Sequence, residues 1–478
     1  MNNKPLPSPL LSLVPLLVLV FMLAVAIHLF GSDALAGGSQ VCLLSASAIC
    51  VLIGMVGFKR KWKDFEDAIT RNIAGIGTAL FILLLIGALS GAWMVCGVVP
   101  TLIYYGIQII DPNYFLVSTC VICAIVSVMT GSSWTTIATI GIALLGIGKA
   151  LGVEEGWIAG AIISGAYFGD KVSPLSDTTV LASSTVGVPL FTHIKYLMLT
   201  TVPSMLITLT IFTIAGLSFD APSGVQIAEF TQALGDKFNI SIWLMIVPLL
   251  TALMIAKRVP SIITLFLSTI LAIVFAFIFQ PDLLHEIAGN GGEGVMSLVK
   301  GGMNTMFGST SLDAGNAEIN DLIATRGMAG MMDTIWLIIC AMCFGGTMAA
   351  GGMLESITSV FVRFTQKCTS LVSSTVATGL FMNLTTADQY ISIILTGNMF
   401  KDIYEKNGYD ARLLGRTVED SVTVTSPLIP WNSCGMTQST VLGVSTFVYF
   451  PYCFFNYISP LMSIFMAAIG YKIYRLKK

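Results

Sequence analysis

The residues best equipped for chemistry stand together in FGDKVSPLSDTT (168–179), which holds two aspartates, a lysine, a proline and four hydroxyls. Three other polar interruptions lie at 130–136 (TGSSWTT), 385–389 (TTADQ) and 426–433 (SPLIPWNS). Pro174 and Pro427 cannot donate an intrahelical hydrogen bond, so a helix running through either stretch must break. A break frees carbonyl oxygens, and serine, threonine and aspartate add more. Hard cations are held by oxygen ligands of this kind. A carboxylate among them can instead take a proton, so the chemistry these residues suit is cation or proton binding.

Asp170, Lys171, Asp177 and Asp388 are the ionisable residues nearest the breaks, with Glu419 and Asp420 shortly before the last. Asp170 and Lys171 read either as an ion pair at a helix end or as site groups. Glu419 and Asp420 read as partners of Arg412 or Arg416 near a membrane edge. Asp177 and Asp388 have no local cation and are the stronger site candidates. Trp134, Tyr390 and Trp431 flank the breaks as cavity lining or ordinary packing. No nucleophile and base are paired in the sequence, so no enzyme is expected. The two CxxC strings, 120–123 and 340–343, lie in apolar helices without nearby histidine and read as packing residues rather than zinc ligands. GIGK (146–149) lacks the first glycine and the final Ser/Thr of a phosphate loop. His28, His193 and His285 are scattered and expected at membrane edges.

These groups sit in a chain of 478 residues that is 55% hydrophobic and 10% charged, with a mean hydropathy of +0.85. Soluble domains average about 25% charged residues, so the composition is that of a multi-pass membrane protein. A span takes roughly 20 apolar residues. The first, 10–30, is too long and polar-flanked for a cleavable signal. Further runs are 35–57, 73–95, 195–219, 240–257, 259–279, 328–352 and 440–471; the last, with Pro451 near its centre, reads as two passes. Shorter runs pair around the polar tips: 114–130 with 133–148, and 369–384 with 387–400.

The chain also repeats itself. At an interval of about 255 residues, 87–99 aligns with 344–354, 129–136 with 384–391, 173–179 with 426–432, and 184–188 with 439–444. This places Ser133 opposite Asp388. The expected fold is all-α, with an N-terminal half (1–220) and a C-terminal half (235–478), each of about five transmembrane helices plus a re-entrant hairpin and a broken helix. An odd number of crossings gives the halves opposite orientation, an inverted repeat. With the N-terminus cytoplasmic, KRKWK (59–63), Arg71, Lys195, Lys257, Arg258, Arg363, Lys367, Lys401, Lys406, Arg412, Arg416 and the tail YKIYRLKK fall inside. Lys149, Lys237, Lys300 and Arg326 fall outside, and 280–327 becomes an external polar loop.

GSSWTTIATIGIALLGIGKALG (131–152), AGAIISGAYFGDKVSPLSDTTVLAS (159–183) and TVGVPLFTHIKYL (185–197) resemble the NhaC family of bacterial sodium/proton antiporters. FGDKVSPLSDTT is the specific part. The family belongs to the ion transporter superfamily, whose inverted repeats, hairpins and broken helices this chain resembles. The superfamily's dicarboxylate branch carries Ser-Asn-Thr at the tips and breaks. Here Gly-Ser-Ser, Ser-Asp-Thr, Ala-Asp-Gln and Trp-Asn-Ser stand instead. Carboxylates in those places point to a cation or amine substrate.

The resemblance implies alternating-access exchange of cytoplasmic Na+ for external H+. Asp177 is expected as the main shared cation and proton ligand, and with Asp388 as metal ligand for the ion. Asp170, Ser132, Ser133, Thr178, Thr385 and Asn432 complete the expected set. The alternative is a sodium- or proton-coupled exchanger of malate, lactate or an amine. No cofactor is expected beyond the transported ions, and no nucleic acid. The bilayer of a bacterial inner membrane is the expected setting, with both termini cytoplasmic and room for a homodimer.

Overall fold

A computed structural model describes residues 5–30, 37–219, 224–257, 259–289, 294–315, 317–362 and 367–476. Arg258, Arg363, Lys477 and Lys478, counted in the charge bias, lie outside the described residues. The fold is helical; among the described residues β pairing is confined to two isolated bridges, Thr310 with Thr325 and Tyr409 with Arg475. Among the described residues eight helices are long and apolar enough to cross a membrane, nine if the pair Phe230–Lys237 and Ile242–Ile255, bent by 87°, is one span. The protein is a multi-pass membrane protein.

The ten crossings read from the sequence are tallied differently. That count includes both broken helices and the final helix Phe454–Ala468, whose 15 residues are short for a span. It leaves out Pro112–Thr130 and Ser133–Ala150, which are long and apolar enough to cross. These arms are therefore full-length rather than the half-length segments expected. The run 440–471 is not two apolar spans either. It begins in Ser433–Leu442 and is cut by Gly443 and Pro451 before Phe454–Ala468 forms. Nor is 280–327 a loop. It folds into Pro281–Ala288, Val295–Phe307 and Ala317–Ile323, and Leu284, Ile319 and Ile323 are fully buried there. Gly91 lets this layer meet Gly77–Val95: a Cβ there would lie 2.3 Å from the Thr305 carbonyl oxygen.

The elements that carry the polar breaks begin and end at matched positions. Helices start at 155 and 411 and again at 177 and 433, and stop at left-handed glycines 187 and 443. At this constant interval the counterpart of Ser173-Pro174-Leu175 is Ile429-Pro430-Trp431. The two Ser-Pro-Leu strings, aligned on sequence, are thus not structural counterparts. The second half holds a π-helical turn, Glu419–Thr423, and a 3-10 turn, Ser426–Leu428, where the first half continues as α-helix.

Glu155–Val172 is held to Phe115–Thr130 through Gly165 and Gly169. An ideal Cβ on Gly165 would stand 2.1 Å from the Cys120 carbonyl oxygen and 3.0 Å from the Cys123 Cβ. On Gly169 it would stand 2.3 Å from the Ala124 carbonyl oxygen. Small residues let helix backbones approach where lipid supplies no hydrophobic drive. The first CxxC is thus part of a close helix crossing, with both cysteines fully buried. A backbone oxygen cannot step aside as a side-chain tip can. Gly165→Leu is expected to prevent assembly of the two helices, read as loss of a monodisperse peak in detergent. Gly75→Ala, with open space around the added carbon, should keep it.

Candidate functional site

Both polar tips are built on one circuit of hydrogen bonds. In the first, Gly131 takes the left-handed conformation (φ 67°) and ends Phe115–Thr130. Ser132 then caps the next helix, its hydroxyl accepting from the Thr135 N–H at 3.2 Å. Thr130 accepts from the Ser132 N–H and lies 3.1 Å from the Thr136 hydroxyl, and both threonines donate to the Ser132 carbonyl. In the second tip, Ala387 takes the left-handed conformation (φ 56°) and Asp388 caps, accepting from the Ile391 N–H at 2.9 Å. Thr386 and Ser392 play the parts of Thr130 and Thr136 around Asp388. Asp388 therefore corresponds to Ser132, not to Ser133 as the sequence alignment has it. A left-handed alanine, fully buried, is a costly conformation outside glycine, and such strain gathers at functional sites.

Each tip is tied to the break in its own half by a serine and an aspartate. The Ser133 hydroxyl and N–H both donate to Asp170 Oδ2, at 2.7 and 3.2 Å. The Ser433 hydroxyl donates to Asp388 Oδ2 at 3.2 Å. Asp170 and Asp388 are both buried. Asp177 opens the helix after the first break, where its carboxylate is exposed. Tyr390, just after the second tip, lies within electrostatic range of Asp170, Asp177 and Asp388.

The remaining expected ligands divide. Ser133 faces Asp170 directly, and the buried Thr178 hydroxyl lies 2.9 Å from that of Ser176. Ser132 is occupied as a helix cap. Asn432 is also a cap, accepting from the Cys434 N–H and donating to the Asn383 carbonyl at 3.1 Å. Thr385 donates to carbonyls of its own helix, and its neighbour Thr386 makes the tip circuit instead. Among the described residues no three His, Cys, Asp or Glu side chains are grouped as a metal would need. A cation here would rely on hydroxyl and backbone oxygens beside the carboxylates.

Sequence reasoning missed a second buried cluster. Lys171 does not pair with Asp170. It crosses to Asp420, in the other half, and donates to the Ser459 hydroxyl at 2.8 Å. Asp420 Oδ1 also accepts from Thr200 at 3.0 Å and Ser459 at 3.2 Å. Arg412 pairs with Asp410 rather than with Glu419 or Asp420. Arg416, placed at the cytoplasmic edge by the charge pattern, is fully buried, 4.0 Å from Asp420 Oδ2 and 4.7 Å from the Tyr196 ring centroid. His193, expected at an edge, is buried with both ring nitrogens unpartnered. His28 is exposed, and His285 meets Ser297 at 2.9 Å. The spacing of Lys171 and Asp420 along the chain held no sign of their contact.

The backbone around this cluster is held open by three amides. Asn383 donates to the Val422 carbonyl at 2.7 Å, Gln389 to Thr423 at 3.0 Å and Asn456 to Val424 at 2.6 Å. Three consecutive carbonyls released by the π turn and the break are each taken by a different element. That satisfies the demand of buried backbone for partners where no water reaches. It also links the hairpin arms to the cluster.

The chain is similar to known transporters. It is 36% identical over 426 residues to the Na(+)/H(+) antiporter NhaC of Alkalihalophilus pseudofirmus, covering 88% of this chain and 89% of that one. It is 35% identical over 442 residues to the malate-2H(+)/Na(+)-lactate antiporter of Bacillus subtilis, covering 92% and 91%. To the arginine/ornithine antiporter ArcD of Halobacterium salinarum it is 32% identical over 468 residues, covering 97% and 92%. The sequence profile of the Na+/H+ antiporter family matches residues 8–187 and 165–471. With both halves of the chain matched and these relatives aligned over most of its length, the protein belongs to the Na+/H+ antiporter family.

Proposed function

We propose that the protein exchanges cytoplasmic sodium for external protons by alternating access, with the ion held between Asp177, Asp170 and Asp388. The observation that carries this is that each polar tip is bonded to a break through a buried aspartate, Ser133 to Asp170 and Ser433 to Asp388. Asp177, exposed at a helix start, is the carboxylate an arriving ion meets first, and the buried pair completes its shell. Sodium and proton compete for the same oxygens. Both termini lie in the cytoplasm in this reading, the halves are inverted repeats, and the membrane is the bacterial inner membrane.

An organic-acid or amine exchange remains the alternative, because relatives named for malate and lactate and for arginine and ornithine align over nearly the whole chain. The charge at the tips favours the ion alone. Several carboxylates around one space repel a dianion, and helix N-termini offset that by only about 1 kcal/mol each. In proteoliposomes a sodium gradient is expected to move protons with no organic anion present. Acid on the sodium side should weaken apparent sodium affinity, since a protonated carboxyl no longer holds the cation. Exchange that begins only when malate, lactate or an amine is added would establish the alternative.

A further inference from the structure

We propose that Glu419 is a second proton-binding site, distinct from the carboxylates around Tyr390 and not emptied by sodium. The proposal rests on the antiport reading only for its transport measurement. Glu419 opens the π turn Glu419–Thr423 and is fully buried, and neither carboxylate oxygen has a hydrogen-bond partner. Three residues earlier on the same element, Arg416 is fully buried with all three guanidinium nitrogens also unpartnered. Two opposite charges on one helix face, each without a hydrogen bond, form an ion pair left open.

The neighbouring groups explain why it stays open. The polar and charged groups acting on Glu419 are Thr423 and Asp420 on its own element and Asp170 and Lys171 on Glu155–Val172, while Arg416 stands one turn earlier beside Tyr196 of Leu190–Gly216, whose His193 faces Asp420 and Lys171. From the packed helices Cys368–Thr386, Gln389–Lys406 and Phe454–Ala468 come the amides of Asn383, Gln389 and Asn456, and all three are spent on backbone carbonyls. Lys171, Thr200 and Ser459 crowd onto Oδ1 of Asp420, leaving Oδ2 with Arg416 alone at 4.0 Å. Arg416 is thus held between Asp420 and the Tyr196 ring, away from Glu419.

An ionised carboxylate in that surrounding has only the Thr423 hydroxyl and the charge of Lys171, already engaged by Asp420, to stabilise it, whereas a neutral acid fits at smaller cost. The geometry is that of the protonated state. Loss of the proton makes Glu419 an anion one helical turn from the Thr423 hydroxyl and, on the other side, from the unpartnered Arg416 guanidinium, and a side-chain rotation toward Arg416 closes the pair. Closing it draws the guanidinium from Asp420, whose remaining charge partner is Lys171, on the break of the other half. Protonation at Glu419 is in this way coupled to the contact between Lys171 and Asp420. The step is a plain acid–base one: the carboxylate takes one proton and no other bond changes.

Infrared difference spectroscopy of the purified full-length protein reads the protonated carboxyl directly as pH is stepped. Two carboxyl signals are expected, one abolished by saturating sodium and one indifferent to it. The indifferent signal should vanish in Glu419→Gln and change frequency in Glu419→Asp. In proteoliposomes Glu419→Gln should keep its apparent sodium affinity at alkaline pH within about twofold while its pH of half-maximal exchange moves by about one unit or more. Wild-type protein whose whole carboxyl signal is removed by sodium overturns the proposal, whether or not the variant folds. So does a folded Glu419→Gln with the wild-type pH profile. Persistence of the indifferent signal with no sodium-sensitive one would instead count against the tip aspartates and leave Glu419 standing.

Discussion

Asparagine in place of Asp177 is expected to abolish sodium/proton exchange while leaving a folded, correctly inserted protein. The carboxylate is exposed and makes no hydrogen bond within the chain. Its replacement therefore removes charge and almost nothing else. The fold loses at most the attraction of an acidic residue for a helix N-terminus, about 0.3–1 kcal/mol. The ion loses far more. A unit charge pair at 4 Å is worth between about 1 kcal/mol in water and about 4 kcal/mol at a protein surface of intermediate polarity. Taking about 3 kcal/mol, sodium affinity falls by about 100-fold. Sodium-dependent acidification in proteoliposomes measures the loss, and size-exclusion chromatography with the melting temperature checks the fold. Unchanged sodium affinity and pH profile would make Asp177 a helix-start residue and no more.

The second large effect is on stability. Lys171→Met leaves Asp420 buried with two hydroxyls on Oδ1 and only Arg416, at 4.0 Å, for a counter-charge. Removing one partner of a buried ion pair costs about 3–5 kcal/mol, because the other charge is stranded. The double variant Lys171→Met/Asp420→Leu removes the stranded carboxylate but also takes from the buried Arg416 its counter-charge, so it is expected to recover only part of that loss. Thermal unfolding in detergent should therefore order the proteins as wild type, then the double variant, then Lys171→Met. A double variant as unstable as Lys171→Met would mean that packing against Phe455, 5.6 Å from the lysine nitrogen, outweighs the charge.

The membrane class, the apolar helices, and the polar breaks at Pro174 and Pro427 were legible in the sequence, because each follows from local composition. A run of apolar residues must bury or meet lipid, and proline breaks a helix wherever it stands. The matched spacing of the polar tips and breaks was legible too, but only to within a few residues. Asp388 aligned with Ser133 by letter, while the cap geometry pairs it with Ser132. A cap is defined by which N–H its oxygen meets, and serine neighbours cannot be told apart by type.

What tertiary structure alone decided is which charges meet. Lys171 is adjacent to Asp170 along the chain, yet consecutive helical residues point about 100° apart. Asp170 turns to Ser133 and Lys171 to Asp420 on the far side of the helix. Arg416 and His193 had been placed at membrane edges by the rule that charge seeks water, and the structure buries both. Burial of Arg416 depends on Asp420 one turn on and on the Tyr196 ring brought from a distant helix. The sequence determined that polar groups interrupt the apolar helices and where those helices break. Only packing of the helices decided that Ser133 meets Asp170, that Ser433 meets Asp388 and that Lys171 meets Asp420, because long-range contacts follow from helix crossing and not from spacing along the chain.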